Sequence, residues 1–396
     1  MNKYILPEGF LASGIYCGVK KKRKDLSLLY SRKPCKAAAL FTRNVVKAAP
    51  VIVAQDMLKK TRDIRGVVIN SGNANCMTGR EGIKDAREII AYTAKLLKVP
   101  KDSILGSSTG IIGERMPVRA ILGGLPQLVA GLSGDGLLDA VDGIMTTDGF
   151  RKISSRSFTV GEKTVRITGI AKGAGMVDPS MATMLCYILT DADITGRALK
   201  KALCSSTDRS FNSITVDGDM STNDTVMLLA NGEAGNETIN EKSKNFRVFQ
   251  EQLDAVTVEL AKMVVRDGEG ASKFIEVNVI GAKTAKDAKK VADAVAGSLL
   301  VKCAVLGGDP NWGRMASSAG SSGVNFDPDK LEIILDGVTF FREGKAVKHI
   351  DRRSTPVFKD PDVNITINLN MGTSEAKVYS CDISKKYITL NSYYTT

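Results

Sequence analysis

The sequence predicts a mixed α and β (α+β) protein, and three observations carry that prediction. Short runs of β-branched and aliphatic residues, such as Arg65–Asn70 and Met184–Thr190, have strand length and are bounded by Gly, Asn, Pro or Ser. Stretches with helical spacing stand between them, Ile83–Lys98 being the clearest. Residues 331–390 are again strand-rich.

Taken in order, residues 13–54 show four strand-like runs separated by turns: G-I-Y-C-G-V, L-S-L-L-Y, A-A-A-L-F-T and A-P-V-I-V-A. The basic run Lys20–Lys24 falls between the first two and reads as a solvated hairpin turn. It lacks the interleaved aromatics of a surface that stacks single-stranded bases. After the strand Arg65–Asn70 comes a loop dense in Gly, Asn and Thr, Ser71–Gly82, which is either a plain connection or the lining of a pocket. Ile83, Ala86, Ile90, Ala94 and Leu97 then share one helical face, and Pro100 ends that helix.

Ile104–Gly113 reads as a short strand running into a Ser-Ser-Thr-Gly loop. Such a loop exposes amides and hydroxyls that could face a developing oxyanion, although Ser-Thr-Gly also makes ordinary turns. Ile121–Val141 is helical but interrupted by G-L-S-G-D-G, which has neither the glycine spacing nor the preceding strand of a dinucleotide site. No phosphate loop occurs anywhere in the chain. Val165–Ala171 is a strand, Lys172–Gly175 a small-residue loop, and Ile194–Ser206 a helix.

Asp217, Asp219 and Ser221 mimic the start of a calcium loop, but Thr222 replaces the sixth-position glycine and Leu228 the bidentate Glu. The sequence therefore argues against calcium. The helix Phe246–Val265 ends in R-D-G-E-G-A-S-K, with Glu269 between glycines. A carboxylate there is ordinarily solvated; in a pocket it would pair with a substrate ammonium. A helix over Lys283–Val301 precedes a strand C-A-V-L and then G-G-D-P-N-W-G-R, which holds the only Trp, Trp312.

With 396 residues, 43% hydrophobic and 25% charged, the composition is that of a soluble globular protein large enough for two or three domains. No run approaches membrane-spanning length and the start has no signal-peptide apolar region, so the sequence predicts no membrane association. Seven cysteines, an odd number without C-x-x-C spacing, indicate neither a disulfide framework nor a zinc site; no metal is expected and the cytoplasm is the default compartment. The net charge of +12 suits a nucleic acid or an anionic substrate such as a nucleotide thioester.

The sharpest chemical feature is Ala182–Thr183, a Thr behind a Gly/Pro-rich approach and at the head of an apolar strand. A strand that simply begins with Thr explains the same residues. A self-cleaving precursor explains more. If the Thr183 hydroxyl attacks the Ala182 carbonyl, the peptide becomes an ester, and hydrolysis frees a chain beginning with Thr183. Its α-amine then lies beside its own hydroxyl and can act as general base. An α-amine has a pKa of about 7.7–8.0, close to the working pH that suits this role. The chain has a single histidine, His349, so a His-activated nucleophile would have to use that residue.

Set side by side, these segments resemble the ornithine acetyltransferase (ArgJ) family of arginine biosynthesis nearly end to end. V-K-A-A-P-V at Val46–Val51, N-S-G-N-A-N at Asn70–Asn75 and S-T-G-I-I-G at Ser108–Gly113 all fit. So do I-M-T-T-D at Ile144–Asp148, K-G-A-G-M at Lys172–Met176 and M-A-T-M-L at Met181–Leu185. I-T-V-D-G-D-M-S-T-N-D, R-D-G-E-G-A and D-P-N-W-G-R follow in the second half.

The resemblance implies sheets sandwiched between helices in a self-processing fold. It implies cleavage between Ala182 and Thr183 into an α-chain, 1–182, and a β-chain, 183–396, that stay associated, with a heterotetramer of two each. It implies acetyl transfer from N-acetylornithine to glutamate through an acetylated Thr183, with acetyl-CoA also a donor in some members. Thr109 and Gly110 match the family's oxyanion pair; Lys172, Thr183, Glu269, Asn391 and Thr396 match its substrate contacts. No metal or organic cofactor is required, and one pocket serving two substrates in turn implies ping-pong kinetics.

One contact departs from the pattern. The family usually has T-T-D-T, whereas this chain has T-T-D-G with Gly149 last, which removes a side-chain hydroxyl expected to touch substrate; compensation by Thr147, a different pocket preference and backbone recognition at Gly149 are the alternatives. The approach to the cut also carries an uncommon Asp178. Two rival functions remain open: an N-terminal-nucleophile amidase or aminopeptidase that passes its acyl group to water, and a nucleic-acid-binding protein suggested by charge alone.

Overall fold

Two sheets, one of eight strands and one of six, organise the described residues of the computed structural model, which are 4–61, 63–178, 184–348 and 356–393. Ala182, Thr183, His349 and Thr396 lie outside the described residues.

The first sheet opens with β1 (Phe10–Ile15), β2 (Leu26–Phe41), β3 (Ile64–Asn73) and β4 (Ile104–Ile111). It continues with β5 (Lys152–Val160), β6 (Lys163–Lys172), β7 (Leu185–Thr190) and β8 (Thr225–Ala230). Its spatial order is β4-β3-β2-β8-β7-β6-β5, with β1 paired to β2, and β3/β4 and β7/β8 run parallel. The helices associated with it are α1 (Ala49–Lys60), α2 (Gly79–Leu97), α3 (Val118–Ala130), α4 (Leu137–Ile144), α5 (Gly196–Arg209) and α6 (Lys244–Arg266).

Alternation along β7 shows why this sheet must be covered on both faces. Cys186 and Ile188 pack with Leu199 and Leu203 of α5 and Leu253 and Leu260 of α6. Leu185, Tyr187 and Leu189 belong to a cluster on the other side with Leu137, Val141 and Ile144 of α4. A strand buried on both faces reads as a continuous apolar run, which is what Leu185–Leu189 is. The expected sandwich of sheet between helices is therefore the architecture of the first sheet.

The second sheet is built from β9 (Phe274–Ala282), β10 (Glu332–Leu335), β11 (Val338–Arg342), β12 (Lys345–Ala346), β13 (Asp362–Asn368) and β14 (Ser374–Cys381). Its order is β12-β11-β10-β13-β9-β14. α7 (Ala285–Gly297), α8 (Leu299–Leu306) and α9 (Trp312–Gly320) share its core, and α10 (Lys385–Tyr393) follows the last strand. β13 alternates buried Val363, Ile365 and Ile367 with more exposed Asp362, Asn364 and Thr366, so its second face is polar.

Several local expectations need correction. A-P-V-I-V-A is not a strand; it opens α1, with Pro50 in the first turn, where a missing N–H costs nothing, and Lys59 and Lys60 in the last, beside the negative helix end. C-A-V-L is the end of α8 rather than a strand. Ser298 caps that helix by accepting from the Val301 amide, and a four-residue apolar run cannot by itself distinguish the two states. L-S-L-L-Y and A-A-A-L-F-T are one long strand, β2, whose irregularity between Tyr30 and Cys35 lets it pair first with β1 and β3 and then with β8. Of G-I-Y-C-G-V only Gly14 and Ile15 are in β1. The Lys20–Lys24 run does join β1 and β2 as a hairpin, since Ile15 pairs with Leu26.

Candidate active site

Strand register brings chemically useful residues to one edge of the first sheet. Lys172, the last residue of β6, pairs with Leu185 at the start of β7, and Leu185 pairs with Thr225 at the start of β8. Leu185 follows Thr183 by two residues in the sequence. A cleft of about 670 Å³ opens there, lined by Thr109, Gly110, Thr147, Lys172, Glu269 and Asn391 among others. These are the described residues that the sequence singled out for the site.

Thr109 and Gly110 reach the cleft from β4 itself; the expected Ser-Ser-Thr-Gly loop is a strand paired with β3. β4 is an edge strand, so alternate backbone groups at its end face away from the sheet. Gly110 has φ of +133°, and a Cβ there would stand 2.3 Å from the Gly72 carbonyl carbon. Only glycine permits that approach. Lys172 is buried, and its ammonium donates to the Thr109 hydroxyl at 3.0 Å. Burial pushes the Lys172 pKa down, and the Asp148 carboxylate pulls partly against it.

A buried charge network frames this pair. Lys152, fully buried on β5, donates to Asp148 Oδ1 at 2.6 Å and to Asp267. Asp148 also accepts from the Gly173 amide at 2.8 Å and from the Thr146 amide at 2.8 Å. Burial would push the Asp148 carboxyl up, but Lys152, Lys172 and these hydrogen bonds outweigh it and hold the group at about 2. Asp267 accepts from the Gly149 amide at 2.9 and 3.1 Å, so Gly149 takes part through its backbone. The network thus ties together the segments that carry Thr147, Lys172 and Glu269.

Glu269 is held in the turn after α6. Its amide donates to the Ala174 carbonyl at 2.8 Å, and Asn391 Nδ2 of α10 donates to its Oε2 at 2.9 Å. Gly175 lies directly under its carboxylate: a Cβ at 175 would approach Cδ and both oxygens to 2.7–3.0 Å. Asp217, the first residue of the calcium-like stretch, accepts from the Met176 and Val177 amides at 2.6 and 2.7 Å. It therefore fixes the approach loop, where Met176 has φ of +58°.

Sequence reasoning missed the contribution of Ser221, Thr222 and Asn223, which line the same cleft. Asn223 Nδ2 donates to the Ala74 and Ser108 carbonyls, both at 2.7 Å, bracing the end of β4. Asp224 is buried and accepts from the Met184 amide at 3.1 Å; its second oxygen has no hydrogen-bond partner among the described residues. The signal for these residues was the S-T-N-D segment itself, short polar residues leading straight into an apolar strand. Asp148, Lys152 and Asp267 were also unassigned. The stretch Ser71–Gly82, expected as one loop, is the end of β3, a short turn and the start of α2, and it does not line the cleft: Asn73 accepts from the Asn75 amide and Asn75 donates to the Gly82 carbonyl, so they brace the turn into α2. Ala182, Thr183 and Thr396, expected at the cut and in the site, lie outside the described residues.

A hydroxyl backed by a buried ammonium, a glycine at a strand end and a carboxylate across the cleft can polarise a carbonyl oxygen and hold a ligand cation. Comparison with known proteins places the chain more closely. The model of the ArgJ family matches residues 11–396. The chain is 42% identical over 399 aligned residues to the arginine biosynthesis bifunctional protein ArgJ of Caldanaerobacter subterraneus subsp. tengcongensis, covering 100% of this chain and 99% of that protein. It is 43% identical to the protein of the same name from Thermotoga neapolitana, covering 99% of this chain and 100% of that one. A crystal structure of the Bacillus halodurans arginine biosynthesis bifunctional protein argJ matches with a TM-score of 0.51 and 37% identity, covering 52% of this chain and 98% of that chain.

Proposed function

The chain belongs to the ArgJ family, and on that premise we propose that it transfers acetyl from N-acetylornithine to glutamate through an acetyl ester on Thr183. The observation that carries the proposal is the convergence of Thr109, Gly110, Lys172, Glu269 and Asn391 on one cleft, with Lys172 paired to Leu185 at the start of β7.

In this reading the precursor first cleaves itself between Ala182 and Thr183, leaving chains 1–182 and 183–396 associated. The freed α-amine takes the proton of its own hydroxyl as that oxygen attacks the acetyl carbonyl of acetylornithine. The carbonyl becomes an oxyanion held by the Thr109 hydroxyl and the Gly110 amide. Collapse breaks the amide bond, the proton passes to the leaving nitrogen, and ornithine departs. The glutamate amine then attacks the ester, regenerating Thr183 and releasing acetylglutamate. Lys172 supplies positive charge for a substrate carboxylate and Glu269 negative charge for the ornithine side-chain ammonium. Asn391 orients Glu269, and Thr147 and Thr396 complete the substrate contacts.

The curated relatives are named bifunctional, and acetyl-CoA is the second donor we infer for this chain. We further infer a heterotetramer of two α- and two β-chains working in the cytoplasm, where the seven cysteines, all free, stay reduced. The test is to incubate enzyme with acetylornithine and glutamate. Acetylglutamate formed in step with ornithine supports transfer; acetate in its place would make the protein a hydrolase.

A further inference from the structure

We infer that Asp267 is a positioning residue that sets the placement of Glu269 in the cleft. The inference rests on the reading of Glu269 as the group that meets the ornithine ammonium.

The turn after α6 is only as well defined as its anchors. At its far side, Glu269 is fixed by the bond of its amide to Ala174 and by Asn391. At its near side Asp267, two residues before Glu269, ties it to the rest of the site. Both oxygens of that carboxylate accept from the Gly149 amide, and one also accepts from Lys152. Lys152 is fully buried and shared with Asp148, which itself holds the Gly173 amide next to Lys172. A rigid charged frame therefore connects the Glu269 turn to the residue that contacts Thr109.

Position 149 lies directly against this carboxylate. A Cβ at Gly149 would stand 2.7 Å from Asp267 Oδ1, closer than real contacts allow. A side chain there obliges the carboxylate, the free end of a flexible side chain, to shift. The residue that departs from the family pattern thus meets Asp267 through its backbone amide. The neighbouring residues leave little slack for the turn to adjust. A Cβ at Gly268 would meet Cys381 Sγ at 2.8 Å, and Gly270 has φ of +75° with the Tyr387 amide 2.6 Å from its Cβ position.

Acetylornithine brings a side-chain ammonium to Glu269, whereas glutamate brings a carboxylate. Misplacing Glu269 should thus harm the donor and leave the acceptor alone. Two variants perturb Asp267 differently: Asp267→Asn removes its charge, and Gly149→Ala keeps the charge but displaces it. Each should raise the KM for acetylornithine about tenfold, the order of one charge-assisted hydrogen bond, with kcat and the KM for glutamate little changed. In a Glu269→Gln background neither should add a further loss, because the residue through which they act is already neutral.

Full additivity in the Glu269→Gln background, or an equal rise in the glutamate KM, would overturn the positioning role. Glu269→Gln alone separates the premise from the inference. If that variant leaves the acetylornithine KM unchanged, the Glu269 reading fails, and the positioning role fails with it. If it raises that KM while Gly149→Ala leaves the wild-type value untouched, only the positioning role fails.

Discussion

The Lys172 ammonium donates to the Thr109 hydroxyl oxygen across 3.0 Å inside the protein. A hydroxyl that accepts in this way keeps its own proton free for another partner. That proton is then available to an oxyanion in the cleft, with a positive charge behind it. Thr109→Ala should lower kcat by about 10²–10³, the usual effect of losing one oxyanion donor. Thr109→Ser, which keeps the hydroxyl, should retain most of the activity. Steady-state kinetics with acetylornithine decides; a change confined to KM would assign Thr109 to ground-state binding.

Asn223 gives a stability prediction. Its carboxamide uses both hydrogens on the buried Ala74 and Ser108 carbonyls. Asn223→Ala leaves both without that partner, at a cost of about 1–3 kcal/mol each. Urea unfolding should show the loss, and kcat should fall too, because Ser108 immediately precedes Thr109. An unchanged midpoint would mean that the end of β4 is held by other contacts.

Asp148 makes stability fall in acid. Its folded-state pKa of about 2 lies below the ordinary 3.8, so its contribution is present above the higher value and is lost as pH falls toward the lower. The difference corresponds to about 2 kcal/mol. Asp148→Asn should be less stable at neutral pH, and its unfolding free energy should depend less on pH between about 4 and 2 than that of the wild type. Parallel pH profiles for the two proteins would contradict the charge network.

Much of the fold was legible because its signals are local. Ile83–Leu97 has helical spacing, and Leu185–Leu189 is a continuous apolar run buried on two faces. Where the reading failed, two states fit the same residues. Pro50–Ala54 is apolar and β-branched, as a strand would be, and only its place in the first turn of α1 reveals a helix. The site divides in the same way. Thr109, Gly110, Lys172, Glu269 and Asn391 stood out through the resemblance to the ArgJ family. The Asp148–Lys152–Asp267 frame did not, because Asp267 is 115 residues from Lys152 in sequence. A contact made across folded layers has no local pattern to announce it.

Thr183 is the residue proposed to carry the acetyl group. The direct measurement is the intact mass of the denatured protein after incubation with acetylornithine and no acceptor. Two chains are expected, 1–182 and 183–396, with one acetyl group on the second at Thr183, discharged as acetylglutamate when glutamate is added. A single uncut chain with full transferase activity, or transfer with no acetyl group on the chain that begins with Thr183, would contradict it.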